Sequence, residues 1–194
     1  MVKQDIDIKK KIIRATVELI KIHGETSKIT VRDIASSAGV GIGLINYHFQ
    51  TKDNLINICV LELIQHSIVE LAAMDPNSKL TPIDQMKTLG QGITTFMVLN
   101  PGVSRISITK DFVTPEITDN SVQIVHMLHS IATQIIEGDK SNQALYFQVH
   151  MLVSSIEAAF LRKDVLKQAF GIDLDDAEQR NHWVDFCIDS LFSK

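Results

Sequence analysis

Three histidines are the residues of this chain whose type and spacing most resemble those of metal ligands. His126 and His129 are three residues apart, so a helix would place them on one face, and His150 lies in the next long segment. No cysteine accompanies them, and the sequence contains no Glu-x-x-His pair of the kind that holds di-iron centres in helical bundles. We therefore interpret these histidines as residues of a core or of a pocket, and we expect no metal and no cofactor.

Three alternating glycines, Gly39, Gly41 and Gly43, could indicate a loop that cradles a phosphate. The dinucleotide-binding pattern, however, needs a preceding strand and a third glycine at the position that Leu44 occupies. Other enzyme signatures are missing as well: the sequence has no Gly-x-Ser-x-Gly elbow, no Walker loop and no His-Glu-x-x-His. We expect no catalytic residues and no enzymatic activity.

The stretch from Thr30 to Lys52 has the most informative spacing in the chain. Thr30 with Asp33 is a helix start signal, and Gly39 permits a tight turn eight residues after Val31. A second short helix follows over residues 42–49. Two short helices joined by a tight turn predict a helix-turn-helix, whose second helix enters the major groove of DNA while the first crosses the phosphate backbone.

This stretch resembles the DNA-binding domain of the TetR family of bacterial transcription regulators. The resemblance rests on Ala-Gly-Val at residues 38–40, on the aromatic-His-Phe ending at residues 47–49 and on Lys52. It covers about a quarter of the chain, from the helix near Ile8 into the fourth helix. It implies a DNA-binding domain over residues 1–52 and a helical ligand-binding and dimerisation domain over residues 53–194.

The resemblance also implies roles for individual residues. The positions that usually touch phosphates in the family correspond here to Thr30, Arg32, Tyr47, His48 and Lys52. The positions on the start and the exposed face of the recognition helix, where bases are read, correspond to Gly41, Ile42, Gly43, Leu44 and Asn46.

The recognition helix departs from the family at three of these positions. Many relatives carry a polar or charged residue where this chain has Gly41 and Ile42, and an aromatic residue where it has Asn46. Bidentate pairing with guanine needs Arg or Lys, and residues 42–49 contain neither. We therefore expect an operator that is read through Asn46 to adenine, through apolar contact of Ile42 or Leu44 with thymine methyl groups, and through DNA shape.

Helical periodicity runs through the remainder of the chain. In the first segment one apolar stripe is predicted, consisting of Ile8, Ile12, Ala15, Leu19 and Ile22. Three later helix starts are predicted at Thr81-Pro82, at Thr114-Pro115 and at Asp175 with Glu178. Further helices are expected near residues 51–73, 83–99, 102–111, 116–137, 142–168 and 176–192. The predicted fold class is all-α with about nine helices.

Charge is distributed unevenly along the 194 residues. Residues 1–55 contain nine Lys and Arg against six Asp and Glu, a net charge of +3, whereas the rest of the chain carries −7. A basic N-terminal part followed by an acidic remainder is typical of a protein that binds a polyanion through one part only. Two surfaces that are solvated differently would also produce this distribution of charge. The two cysteines form no disulfide framework and no apolar run reaches the roughly 20 residues of a bilayer span, so we expect a soluble, cytoplasmic protein without a membrane partner.

The last two long segments, 142–161 and 176–192, carry apolar residues on more than one side. A helix of this kind must be buried on two faces, and in a chain this short a second subunit is the favoured cover. We predict a homodimer formed through these two helices, with burial inside one subunit as the alternative.

Aromatic residues, methionines and histidines of the C-terminal part could line an adaptable apolar pocket, although such residues more often form plain core. The candidates for contact with a small molecule are Phe96, Met97, Phe112, His126, His129, Tyr146 and His150.

These patterns predict a sequence-specific DNA-binding regulator, in the form of a homodimeric repressor that leaves its double-stranded operator when a small-molecule effector binds the C-terminal domain. An alternative is a ligand-independent DNA-binding module on the same fold, controlled by a partner protein. A helical enzyme or carrier has only the three histidines in its favour.

Overall fold

The computed structural model describes residues 2–23, 28–60, 62, 80–135 and 143–192, and the regular structure in these ranges is helical throughout. These described ranges contain ten helices: α1 (Val2–His23), α2 (Val31–Ala38), α3 (Ile42–Phe49), α4 (52–60), α5 (Pro82–Leu99), α6 (Pro101–Val113), α7 (Asn120–Ile135), α8 (Gln143–Leu161), α9 (Lys163–Phe170) and α10 (Ala177–Phe192). The all-α prediction is confirmed. The predicted continuation of the fourth helix to residue 73 lies outside the described residues.

The chain divides into two compact units. The first contains the described residues of Met1–His66 and Asn100–Thr109, and the second contains those of Ser67–Leu99 and Lys110–Lys194. The domain boundary expected after Lys52 stays a prediction, and the first unit as defined by contacts also includes the described start of α4.

In the first unit, α1 packs on α2 and α2 packs on α3. The most deeply buried side chains of α1 to α4 include Ile12, Ile20, Ile34, Ile45, Phe49 and Leu55. The predicted stripe of α1 was partly wrong, because Leu19 is only half-buried and Ile22 is 73% exposed. The buried face instead includes Thr16, whose hydroxyl donates to the carbonyl oxygen of Ile12 at 2.8 Å, so that its polar group is satisfied inside the core.

In the second unit, α5 packs against α7 and α10, and α8 packs against α7 and α10. The approach of α5 to α10 is close at Gly90, where a Cβ atom would lie 2.9 Å from Cγ1 of Val184. Beside this contact, two hydrogen bonds of 2.8 Å join the same pair of helices, from Lys87 to Asp189 and from Gln91 to Asp185.

Some predicted helix boundaries were confirmed and others were wrong. Thr30 and Thr81 both accept the backbone N–H three residues on, as the start signals predict. The start at Thr114 was wrong: α7 begins at Asn120, because the carboxylate of Asp119 accepts the backbone N–H of Val122 at 2.8 Å. Similarly, Asp176 rather than Asp175 accepts the N–H that starts α10.

The segment predicted as one helix over residues 142–168 is two helices, α8 and α9. The backbone of Arg162 has φ −110° and ψ 15°, outside the helical region, and its N–H is shared between the carbonyl oxygens of Ala158 and Ala159 at 3.2 Å. No proline or glycine marks this break, which is why periodicity alone did not predict it.

Helix α8 is, among the described residues, the one helix that is long and apolar enough to cross a membrane by length and composition alone. We did not expect any run of this length. The helix contacts α5, α7, α9 and α10 and contains the buried carboxyl group of Glu157, as a core helix of a folded unit does.

Candidate nucleic-acid interface

The first helix of the predicted helix-turn-helix begins with a reciprocal capping box. The backbone N–H of Asp33 donates to the hydroxyl of Thr30 at 3.2 Å, and the N–H of Thr30 donates to the carboxylate of Asp33 at 2.8 Å. The hydroxyl of Thr30 also donates to that carboxylate at 2.6 Å, and this side-chain bond, with the backbone bond, holds the pKa of Asp33 below its usual range. The Thr30 hydroxyl, which is predicted to contact a DNA phosphate, thus already donates its hydrogen to Asp33. To donate to a phosphate it must turn away from that carboxylate.

The turn between α2 and α3 follows from Gly39. This residue has φ +61°, the left-handed region that glycine adopts without strain, and the N–H of Val40 donates back to Ala35 at 3.0 Å. Lys11 of α1 lies at this turn, with its Nζ 3.6 Å from the point that a Cβ of Gly39 would occupy.

All five predicted base-reading residues, at the start of α3 and on its outer sides, are exposed to solvent. Ile45 and Phe49 are buried and fix the inner face of the helix. The residues on the other sides are exposed: Gly41, Ile42, Gly43, Leu44 and Asn46. An added Cβ at Gly41 or at Gly43 would meet no atom within 4 Å, so the start of α3 is open to close approach by a large partner.

The predicted phosphate-contacting residues flank this face. Tyr47 is 74% exposed at the end of α3 and its ring meets that of His48 edge-on, with centroids 5.0 Å apart. Arg32 is exposed in the first turn of α2. The ammonium group of Lys52, at the start of α4, donates to the carbonyl oxygen of Ile29 at 3.1 Å and so ties α4 to the residue just before Thr30.

Sequence reasoning missed a strained turn at the end of the recognition helix. Gln50 has φ +64° and ψ −55°, and the N–H of Thr51 donates across it to the carbonyl oxygen of Phe49 at 2.7 Å. These values describe a γ-turn of the rare, strained type, which glycine would tolerate better than glutamine. Nothing in the sequence marks the turn, since glutamine is not a turn-forming residue.

We expect Gln50→Gly to raise the free energy of unfolding by about 1 kcal/mol, because relief of the strain exceeds the extra freedom of glycine in the unfolded chain. The measurement is urea unfolding followed by circular dichroism. Gln50→Ala is the matched control: it keeps a Cβ at the same φ and should leave the stability unchanged. Equal stabilities of the glycine and alanine variants would contradict this account of the turn.

All ten residues predicted to meet DNA therefore lie in the first unit, over 23 consecutive positions of α2, α3 and the start of α4. Two basic residues of α1 lie close to these helices and add positive charge to the first unit. Lys9 lies over the ring of Phe49, with its Nζ 5.8 Å from the ring centroid, and Lys11 lies at the turn described above.

In the second unit, three of the predicted pocket residues meet between α7 and α8. The rings of His129 and Tyr146 are stacked with centroids 3.7 Å apart, and the ring of His126 meets Tyr146 edge-on at 6.3 Å. His129 is 8% exposed, its Nε2 has no hydrogen-bond partner among the described residues, and burial, with the charge of His126, lowers its pKa. His129 is therefore neutral at neutral pH.

The other predicted pocket residues are distributed over three helices. Met97 is buried and Phe96 half-buried on α5, whereas Phe112 is exposed at the end of α6. His150 is exposed on α8, where its Nε2 lies 3.5 Å from the hydroxyl of Ser154. Within the described ranges, no three His, Cys, Asp or Glu side chains come together as metal ligands would.

A comparison with protein families gives one match to this region. The sequence model described as "Bacterial regulatory proteins, tetR family" matches residues 12–58, which span α1 from Ile12 to the described part of α4. This match identifies residues 12–58 as a DNA-binding domain of the TetR type. Helices α2 and α3, with the turn between them, form the helix-turn-helix of this domain. A comparison with curated protein sequences gives no match.

Solved structures share the fold over nearly the whole chain. A TetR transcription regulator from Haloarcula marismortui is 17% identical with a TM-score of 0.73, covering 96% of this chain and 99% of its own. A transcriptional regulator from Rhodococcus sp. RHA1 is 16% identical with a TM-score of 0.71, covering 94% and 95%. A gamma-butyrolactone receptor described as ArpA-like is 17% identical with a TM-score of 0.55, covering 96% and 98%.

Proposed function

We propose that this protein is a homodimeric TetR-family repressor that leaves its operator when a small molecule binds the C-terminal domain. The observation that carries the DNA-binding part is the exposed face of α3, on which Ile42, Leu44 and Asn46 are solvent-accessible while Ile45 and Phe49 anchor the helix. DNA binding is assigned to residues 1–52, and dimerisation with effector binding to residues 53–194.

Two recognition helices of a dimer must enter successive major grooves on one face of the duplex, about 34 to 36 Å apart. The operator is therefore expected to be a near-palindrome. On this helix, apolar side chains and one amide are the available reading groups, so the half-site should be rich in adenine and thymine.

Exposed apolar side chains support a dimer through α8 and α10. Phe147 and Met151 of α8 and Phe186 of α10 are more than half exposed, although α8 and α10 also pack on each other inside the chain. Ser155 and Ala158 are exposed and small, so that α8 of a second copy could approach closely. Four helices from two subunits would cover these apolar groups.

The stacked pair of His129 and Tyr146 supports an effector site between α7 and α8. His129 is neutral, and its buried Nε2 offers a hydrogen bond that no described residue uses. A largely apolar molecule with one hydrogen-bonding group fits this chemistry, and a cationic group could interact with the aromatic ring. Such a ligand releases the operator only if it binds better to a dimer whose recognition helices are wrongly spaced for DNA.

The test of this function is titration of the purified protein into labelled DNA from the region upstream of its own gene. Salt is held near the physiological value, because phosphate contacts alone can mimic affinity, and an unrelated duplex is present as competitor. The expected result is competitor-resistant binding with two chains per site. We propose that the protein acts in the cytoplasm.

Binding that disappears with competitor would contradict a specific operator upstream of the protein's own gene, and it would favour the alternative, a DNA-binding module controlled by a partner protein. Given a stable complex, a panel of small molecules is then screened for release of the labelled DNA. A true effector must lower operator affinity at saturation, and it should do so less in a His129→Leu variant. Gln134→Leu, at an exposed position of the same helix that is not among the candidate contact residues, is the matched control.

A further inference from the structure

A buried pair of carboxyl groups in the second unit is used by neither DNA recognition nor the proposed effector site. Asp111 lies in the last turn of α6 and Glu157 lies near the end of α8, and both are more than 90% buried. Ser121, in the first turn of α7, stands between them and contacts both.

These two contacts require more hydrogen-bonding hydrogens than the hydroxyl group of Ser121 can supply. The Ser121 hydroxyl oxygen lies 2.6 Å from a carboxyl oxygen of Glu157 and 3.1 Å from one of Asp111. A hydroxyl has one hydrogen to donate, so with both carboxyl groups ionised one of these contacts would join two oxygens with no hydrogen between them. A proton on one carboxyl group supplies the missing hydrogen.

Glu157 is the better holder of that proton. Its contact with Ser121 is the shorter of the two, whereas Asp111 already accepts the backbone N–H of Ser121 at 3.2 Å, a bond that favours its ionised form. Burial raises the pKa of Asp111 as well, but the two bonds from Ser121 and the charge of Lys110 oppose that rise. Lys110 itself pairs with Glu116 at 3.3 Å.

We propose that Glu157 keeps its proton up to near-neutral pH and donates it to Ser121, which in turn donates to Asp111, so that one proton fastens the last turn of α6 to α7 and α8. We name this Glu157–Ser121–Asp111 chain the carboxyl latch. It stands apart from the proposed function, because it depends on contacts inside the second unit alone. Loss of the proton leaves two buried negative charges on either side of one hydroxyl and opens the latch.

The electrostatic surroundings agree with this assignment. Burial raises the pKa of Glu157 to about 7, the hydrogen bond from Ser121 opposes the rise, and the negative charges of Asp111 and Asp119 add to it. None of the described residues on α5, α9 or α10 is among the groups that shift it. The ion pairs of those helices join Lys87 with Asp189, Lys163 with Asp175 and Lys167 with Asp173.

The direction of the pH dependence follows from the raised pKa. Between the ordinary 4.5 and about 7, the folded chain holds a proton on Glu157 that the unfolded chain has lost. The contribution of the latch to the free energy of unfolding is therefore complete below the ordinary pKa of 4.5, and it is lost as the pH rises through the raised pKa of the folded chain, about 7.

The test compares thermal unfolding midpoints of the wild type and of Glu157→Gln from about pH 5 to about pH 8.5. The amide of glutamine donates to Ser121 at every pH, so the variant should lose most of the alkaline fall of the wild type and unfold at a higher temperature above neutral pH. Glu178→Gln, an exposed site on α10, is the matched control and should follow the wild-type profile. A parallel fall in the wild type and in Glu157→Gln would overturn the latch.

A second measurement keeps the proposal falsifiable if Glu157→Gln does not fold. In wild-type protein labelled with carbon-13 at the glutamate carboxyl groups, nuclear magnetic resonance should show one carboxyl signal that titrates near neutral pH. Signals that all titrate below about pH 5.5, as ordinary glutamates do, would overturn it.

Discussion

A Phe147→Glu variant should be a monomer that binds the operator far more weakly than the wild type. Phe147 is 59% exposed on α8, in the middle of the apolar face that we assign to the second subunit. A dimer would bury this charge together with its own symmetry mate, since a two-fold axis brings the same surface to both sides, and burial of unpaired charges costs several kcal/mol. A monomer has one helix-turn-helix and contacts only one half-site of the operator. Operator affinity should therefore fall by about 100-fold or more.

Light scattering after size exclusion measures the mass, and titration of labelled operator measures the affinity. Gln134→Glu adds the same charge to an exposed position of α7, outside the proposed interface, and should remain a DNA-binding dimer. Circular dichroism should show the same helix content for both variants. If Phe147→Glu keeps the mass of two chains and the affinity of the wild type, the assignment of the dimer to α8 and α10 is wrong.

An Asn46→Ala variant should lose discrimination at one base pair of each half-site. An amide side chain can pair with both N6 and N7 of adenine in the major groove, and loss of such a bidentate contact costs about 1 to 3 kcal/mol of discrimination. Affinity for the best operator should fall by about 5- to 150-fold, whereas affinity for operators already mutated at that base pair should hardly change. Binding to every single-base variant of the operator measures this profile.

The matched control is Arg32→Gln, in the exposed first turn of α2. Loss of one phosphate contact should weaken binding to all these duplexes equally and should reduce the slope of log affinity against log salt by about one. The two variants thus separate base reading from phosphate contact. A base-by-base profile that is identical in Asn46→Ala and in the wild type would remove Asn46 from the reading set.

Sequence reasoning predicted those parts of the fold whose cause is local. The helix starts at Thr30 and Thr81 were predicted correctly because the capping residue and its acidic partner lie within one turn. The start of α7 was not, because Thr114-Pro115 offers an equally good local signal and Asp119 captures the N–H groups instead. The break at Arg162 likewise has no local marker in the sequence, since neither proline nor glycine lies there.

The candidate site divides in the same way. The apolar spacing of Ile42, Ile45 and Phe49 predicts the inner face of α3 only in part, because Ile45 and Phe49 are buried whereas Ile42 is 41% exposed. The strain at Gln50 and the capture of the Thr30 hydroxyl by Asp33 depend on backbone angles and side-chain rotamers, which the residue types do not reveal. The carboxyl latch depends on three residues that are brought together from three helices, up to 46 positions apart.

Selection of bound duplexes from a pool of random DNA tests the central claim, sequence-specific operator binding by a dimer, most directly. The protein is mixed with the pool at fixed near-physiological salt in the presence of unrelated competitor, and the bound duplexes are sequenced over several rounds. We predict enrichment of a near-palindrome rich in adenine and thymine, with half-site centres about one helical turn apart. A pool that stays random after repeated selection, with binding that competitor removes, would contradict the claim.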